Sequence, residues 1–325
     1  MSDLQALQAQ FEQVKSLGLA LNMQRGQPSD ADFSLANEML TIVDADDLVT
    51  PSGVAIRNYP GGLAGIPEAR ELFGEMLGVK AAETIVGNNS SLKLMSNTLM
   101  WAMLRGLKDS PRPWAKEETT QIIVTVPGYD RHFTLLDGLG IEMVAVGMTP
   151  EGPDMDAVEA LALNPNVRGM VFVPTYSNPT GDTVSDETVR RLAGMKTAVP
   201  DFTIFADDAY IVHHLTDEPV RPLNLLRACE AAGNPDRVYL FGSTSKMTFA
   251  GAGIGFMAAS VANVKYTLNL VNTQYIGPNK VEQYRHVKFL RQYPGGIAGI
   301  MQAHAALLRP KFEVVQVDLA RELGV

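Results

Sequence analysis

One short polar stretch concentrates reactive groups in this 325-residue chain. Ser243-Thr244-Ser245-Lys246 comes one residue after the apolar run Val238-Tyr239-Leu240-Phe241. A lysine amine can condense with an aldehyde to form a Schiff base. Serine hydroxyls beside it can hold a phosphate. Three more polar stretches also follow short apolar runs. They are Pro127-Gly128-Tyr129-Asp130-Arg131-His132, Pro174-Thr175-Tyr176-Ser177-Asn178-Pro179-Thr180-Gly181 and Asp207-Asp208-Ala209-Tyr210. Together the four offer an amine, two adjacent carboxylates, phenols, an amide and several hydroxyls.

Groups so far apart in sequence meet only if the fold aligns the ends of the apolar runs. Gln121–Val126, Ile141–Val146, Met170–Val173, Thr203–Ala206 and Val238–Phe241 are short and rich in β-branched and aromatic residues, the pattern of buried strands. Helical patterns alternate with them over 66–78, where Pro67 suits the first turn, and over 91–107, 133–139, 185–195 and 221–232. Strands alternating with helices imply a mainly parallel sheet covered on both faces. Ligands of such sheets bind beyond the carboxyl ends of the strands, where all four polar stretches fall. A further turn, Gly87-Asn88-Asn89-Ser90, leads into the 91–107 helix, whose amino end favours an anion.

A pyridine aldehyde phosphate would find one residue type here for each of its groups. Its carbonyl needs a lysine, and its ring nitrogen needs a carboxylate that keeps it protonated. Its phenolic oxygen needs hydrogen-bond donors, its ring a flat neighbour, and its phosphate hydroxyls and amides.

The ordered motifs Asn-Pro-x-Gly, Asp-x-Ala-Tyr and Ser-x-Ser-Lys resemble those of the class I pyridoxal phosphate-dependent aminotransferases, and most closely the bacterial aspartate aminotransferases of subgroup Ic. The resemblance runs from about Leu21 to the end. It implies an α/β, fold-type I transferase with a mostly parallel seven-stranded sheet, helices on both faces and a small α+β domain. Residues 46–290 would form the large cofactor-binding domain. Residues 1–45 and 291–325 would belong to the small domain, whose C-terminal remainder is missing by family length. The resemblance implies that Lys246 carries the cofactor and shuttles the substrate proton, and that Asp207, favoured over Asp208 by the motif register, pairs with the ring nitrogen. Tyr210 and Asn178 would bond the phenolic oxygen, and Tyr129 would stack on the ring. Asn89, Ser90, Ser91, Ser243 and Ser245 would bind the phosphate. Tyr59, in Asn58-Tyr59-Pro60-Gly61, would reach the phosphate of a neighbouring subunit, which implies a homodimer. Gly26 and Asn178 would lie against the substrate, and Arg25 is the candidate for its distal carboxylate. The implied reaction moves the amino group of aspartate to 2-oxoglutarate. A lyase or decarboxylase using the same cofactor, or a truncated and catalytically silent domain, are the alternatives.

Two features depart from the pattern. The arginine that usually clamps the phosphate a few residues after the lysine is absent from Lys246-Met-Thr-Phe-Ala-Gly-Ala-Gly-Ile-Gly-Phe256, and Gly253 stands near its place. Phe256 also occupies the last glycine position of a dinucleotide loop, so Gly251, Gly253 and Gly255 read as close backbone packing near the cofactor. The segment that normally carries the α-carboxylate arginine is missing, and Arg309 and Arg321 come too early to replace it.

Composition narrows the partners. The net charge of -9 disfavours nucleic acid. Cys229 is the only cysteine, which excludes an intrachain disulfide and a cysteine-based metal cluster. The pair His213-His214 lacks metal-ligand spacing, so no metal is expected. Asp3, Glu12 and Lys15 interrupt the first 20 residues, where no signal peptide is read. Leu4, Leu7, Phe11 and Val14 recur there as on an amphipathic helix. No run reaches membrane-spanning length, and the expected location is the cytoplasm.

Overall fold

The computed structural model describes residues 2–20 and 28–324. Among these residues, eight strands form one sheet: β1 Thr84–Val86, β2 Gln121–Val126, β3 Glu142–Thr149, β4 Gly152–Pro153, β5 Val167–Phe172, β6 Thr203–Asp207, β7 Val238–Ser243 and β8 Gly255–Ala258. Their order is β1-β8-β7-β6-β5-β2-β3-β4. The pairs from β3 through β2, β5 and β6 to β7 are parallel. β8 runs antiparallel between β7 and β1, and the two-residue β4 lies antiparallel on β3. The sheet is mostly parallel, as expected, and β4 brings its strand count from seven to eight.

Strands buried on both faces need apolar side chains at every position. Every residue of β5, β6 and β7 is buried accordingly. Alternation sorts their side chains into two cores. Phe205, Tyr239 and Phe241 stack on one face with ring planes 11° to 19° apart, joined by Met95, Leu99 and Trp114. Ile204, Ala206, Leu240 and Phe172 face the other side, where the helix Pro67–Leu77 brings Phe73. Phe73 stacks on Phe256 at 4.5 Å. Such rings each bury upwards of about 150 Å² of surface, so both faces are firmly closed.

A buried ionic network ties the sheet's amino-terminal edge. Asp201 is 3% exposed and accepts hydrogen bonds from Trp114 Nε1 at 2.7 Å, Ser110 Oγ at 2.6 Å and Arg168 Nη1 at 3.2 Å. Arg168 in turn pairs with Glu117 at 2.9 Å.

The chain direction reverses across β2. From β2 it passes through the helix Asp130–Gly138 outward to β3, whereas β5, β6 and β7 follow one another on the other side. The crevice beyond the carboxyl ends of β2 and β5 is therefore the switch point where such sheets bind ligands. The expected helix at 221–232 starts at Leu225, capped by the Asn224 side chain. That leaves residues 208–224 as a long irregular loop. The helical pattern over 295–308 continues through Pro310 to Leu323. The expected first helix is present as Ser2–Ser16, with Leu4, Leu7, Phe11 and Val14 all exposed.

Candidate active site

β6 ends on Asp207, which is 4% exposed at the floor of the crevice. Its Oδ2 lies 3.0 Å from Nε2 of His132, and its Oδ1 has no protein partner. His132 sits in the first turn of the helix after β2 and reaches across the end of β5. The ring of Tyr129 meets it edge-on at 5.1 Å. A buried carboxylate needs such a partner to remain charged. Its free oxygen is the acceptor left for a ligand.

Asp208 turns elsewhere. Its side chain lines a separate cavity of about 1050 Å³, together with Phe172, Leu240 and Met301. Burial pushes its carboxyl up to about 7, reinforced by the charge of Asp207 and opposed by the Thr175 hydroxyl. Only Asp207 therefore meets His132 and the Tyr129 loop.

Lys246 follows β7 on a tightly braced turn. Thr244 exchanges bonds with Ile254, from N to O at 3.0 Å and from Ile254 N to Thr244 Oγ1 at 3.0 Å. His286 meets Thr248 Oγ1 at 3.1 Å, and His304 Nε2 meets the Met247 carbonyl at 2.9 Å. The lysine side chain is open to solvent at the cleft floor but hemmed in by protein. That crowding lowers its amine below the ordinary lysine range, and the charge of Asp207 opposes the fall. Its Nζ hovers 4.7 Å from the centre of the Tyr210 ring. Burial raises the Tyr210 phenol, with Tyr129 and Asp207 adding to it, while a hydrogen bond with Asn178 opposes it. The Asn178–Pro179 peptide on this loop is cis.

Close backbone packing joins the lysine turn to the turn before the helix Ser91–Arg105. A Cβ on Gly255 would lie 2.4 Å from the Ser90 carbonyl carbon, and one on Gly253 would lie 3.0 Å from Ser245 N. Backbone bonds from Gly87 N to Gly255 O at 2.8 Å and from Gly255 N to Asn88 O at 2.9 Å lock this contact. Ser90 is the N-cap position and Ser91 the first helical residue. Asn89 Nδ2 donates to the Ala250 carbonyl at 3.4 Å. Ser243 pairs with Gly255, and Ser245 packs against Gly253 at the same junction. Gly251 has open space around it, so the close packing expected there is confined to Gly253 and Gly255. The Lys280 ammonium holds the carbonyls of Tyr59, Pro60 and Gly61, at 2.7 Å for Pro60, and presents Tyr59 with 73% of its surface exposed.

Lys246, Asp207, Tyr210, Asn178 and Tyr129 thus converge, with the serine turns beside them. Arg25 and Gly26 lie outside the described residues. His132 was legible only as part of an unusual loop, and its position one helical turn after Tyr129 is the signal that could have singled it out. Among the described residues no group of histidine, cysteine, aspartate or glutamate side chains could hold a metal, and no helix is long and apolar enough to cross a membrane.

The aspartate amino-transferase family model matches residues 1–325, the whole chain. The chain belongs to the aspartate aminotransferase family. An aspartate aminotransferase of Corynebacterium glutamicum is 43% identical over 309 residues, covering 95% of this chain and 71% of that protein. A crystal structure of an aspartate transaminase from the same species superposes with a TM-score of 0.95 at 42% identity, covering 98% of this chain and 75% of that one. The α-aminoadipate aminotransferase LysN of Thermus thermophilus, solved with N-(5'-phosphopyridoxyl)-L-leucine, shares the fold at a TM-score of 0.70 and 20% identity, over 92% of this chain and 70% of that one. Family members work with pyridoxal phosphate and move amino groups. The crevice suits that cofactor: the free Asp207 oxygen, the lowered lysine amine and the serine turns supply the donor set it requires.

Proposed function

We propose that this chain holds pyridoxal phosphate at Lys246 and transfers the amino group of aspartate to 2-oxoglutarate. The observation that carries the reading is the buried Asp207, held by His132 on one oxygen and unpartnered on the other, facing the crevice that Lys246 enters. When bound, the cofactor supplies an electron sink for the bond broken at the substrate α-carbon.

The chain's own residues would do the rest. Asp207 would hold a proton on the ring nitrogen, with His132 fixing its orientation. Tyr210 and Asn178 would donate to the phenolic oxygen, and Tyr129 would cover the ring. Asn89, Ser90, Ser91, Ser243 and Ser245 would hold the phosphate. Their hydroxyls and amides would act where the family arginine is replaced by Gly253. The lowered amine of Lys246 is suited to take a proton from the substrate α-carbon and return it on the other side of the transfer. Arg25 and Gly26 are assigned to the substrate on sequence grounds. The exposed Tyr59 would reach a second copy, making a homodimer with shared sites. Residues 46–290 would form the cofactor-binding domain, and residues 1–45 and 291–325 would belong to the second domain. The reading places the protein in the cytoplasm.

The name of the Corynebacterium glutamicum relative supports aspartate as the amino donor. The test is oxaloacetate formation from aspartate and 2-oxoglutarate, with alanine, tyrosine and 2-aminoadipate as competing donors. Preferential turnover of aspartate is expected. Turnover of another donor with aspartate inert would move the substrate while keeping the reaction. Alanine and carbon dioxide formed from aspartate without an acceptor would favour a decarboxylase, and fumarate with ammonia a lyase.

A further inference from the structure

The adjacent histidines 213 and 214 have no part in the reading above, yet both stand on the loop that carries Tyr210, and His214 lines the cavity that Asp208 enters. His213 presents its ring edge to Tyr210 at 5.7 Å, below the Lys246 turn. His214 turns the other way. Its Nδ1 lies 2.8 Å from the hydroxyl of Tyr176, and the two rings meet at 75° and 5.8 Å.

Tyr176 is unusual in itself. Its φ of 50° lies in the left-handed region. A bulky residue is rarely found there, and outliers of this kind cluster at functional sites. The surrounding loop holds it in place. Tyr176 N donates to Thr183 Oγ1 at 3.2 Å, and Ser177 N donates to Asp182 O at 2.7 Å. The backbone therefore aims the phenol at His214.

This bond joins two loops from neighbouring strands. Tyr176 lies two residues before Asn178 on the loop after β5. His214 lies four residues after Tyr210 on the loop after β6. Residues 208–224 contain no helix or strand, and such long irregular segments need side-chain anchors to hold a fixed shape. We propose that the Tyr176–His214 hydrogen bond is a positioning tie that fixes Asn178 and Tyr210 relative to each other as donors to one ligand oxygen. The inference rests on the cofactor reading given above and adds two residues to it. Both groups are suited to the bond in neutral form. Burial raises the Tyr176 phenol and lowers the His214 imidazole, and the charge of Arg221 lowers both, so the bond joins a neutral hydroxyl to a neutral ring.

The test uses the cofactor's visible absorbance as a function of pH. Donors to a phenolate oxygen stabilise the charge left when the nearby imine nitrogen loses its proton. Weakening them raises the pH at which the band changes. Tyr176→Phe removes the hydroxyl and keeps the ring. The expected result is a midpoint about half a pH unit above the parent's, the effect of loosening a hydrogen bond of ordinary strength. His214→Phe should give the same shift, and the double variant no more than either single change. The titratable groups facing Lys246 are Asp207, Tyr210 and His213, with His304 behind His213; all remain in these variants. Midpoints equal to the parent's in both single variants would overturn the tie and leave the cofactor reading standing. A parent whose band survives Lys246→Ala would overturn that reading, and the tie with it.

Discussion

Replacing Asp207 by Asn tests which carboxylate serves the ring nitrogen. The amide keeps the shape, and its oxygen can still accept from His132 Nε2, which lies 3.0 Å from Asp207 Oδ2 in the parent. What disappears is the charge facing the ligand through Oδ1. A hydrogen bond to a charged group is worth about 1.5–3 kcal/mol, which corresponds to roughly ten- to hundredfold in affinity. Asp208→Asn makes the same change one residue away, on a side chain that lines a different cavity and is already pushed up to about 7. The assay is the dissociation constant for pyridoxal phosphate by equilibrium dialysis at neutral pH. Asp207→Asn should weaken binding by about ten- to hundredfold, and Asp208→Asn by less than about twofold. Removing the Asp207 charge should also lower the Lys246 amine further, because that charge now opposes its fall. A larger loss in Asp208→Asn than in Asp207→Asn would refute the assignment.

Asp208→Asn should also change stability with pH. A carboxyl whose pKa is higher in the folded state binds more protons folded than unfolded. Parent stability should therefore fall as pH climbs from about 4 to about 7, and melts of the Asn variant should lose that contribution to the slope. His286 works in the opposite sense. It is fully buried and lowered to about 4, chiefly by burial, so it stays neutral where the unfolded chain takes up a proton. Its contribution is present above the unfolded pKa of 6.5 and lost as pH falls through about 4, and His286→Gln should flatten the acid limb. Gly255→Ala forces a methyl against the Ser90 backbone. It should cost about 1–3 kcal/mol in denaturant melts and weaken phosphate binding, since the turn must shift. Asp201→Ala leaves Trp114 Nε1 and Ser110 Oγ without their acceptor and Arg168 with Glu117 alone, far from the crevice. It should destabilise the fold by about 3–5 kcal/mol, and a melting curve equal to the parent's would contradict the role given to that network.

The parallel strands were legible because burial on both faces demands unbroken apolar runs, and Gln121–Val126 matches to the residue. Their polar sequels then located the crevice. β1 and β8 were not legible. Each has only three or four residues, and Gly255 hides the start of β8 in a glycine run whose close approach to Ser90 appears only in three dimensions. The carboxylate choice could be read from motif register, but the divergence of Asp207 and Asp208 depends on strand alternation and on His132 arriving from another loop. The histidines beneath the lysine turn were beyond sequence reasoning altogether. His286 and His304 belong to helices whose packing under Thr244–Thr248 no local pattern reveals. In sequence the adjacent pair at 213 and 214 reads only as a candidate metal-ligand pair, whereas their side chains turn in opposite directions towards Tyr210 and Tyr176.

The most direct test is the visible absorption of this chain with pyridoxal phosphate, recorded before and after aspartate and repeated on Lys246→Ala. The parent should show a bound-cofactor band that aspartate converts to a shorter-wavelength form, and Lys246→Ala should lack the starting band while keeping the parent's far-ultraviolet circular dichroism. A band of equal intensity in parent and variant would contradict the placement of the cofactor at Lys246.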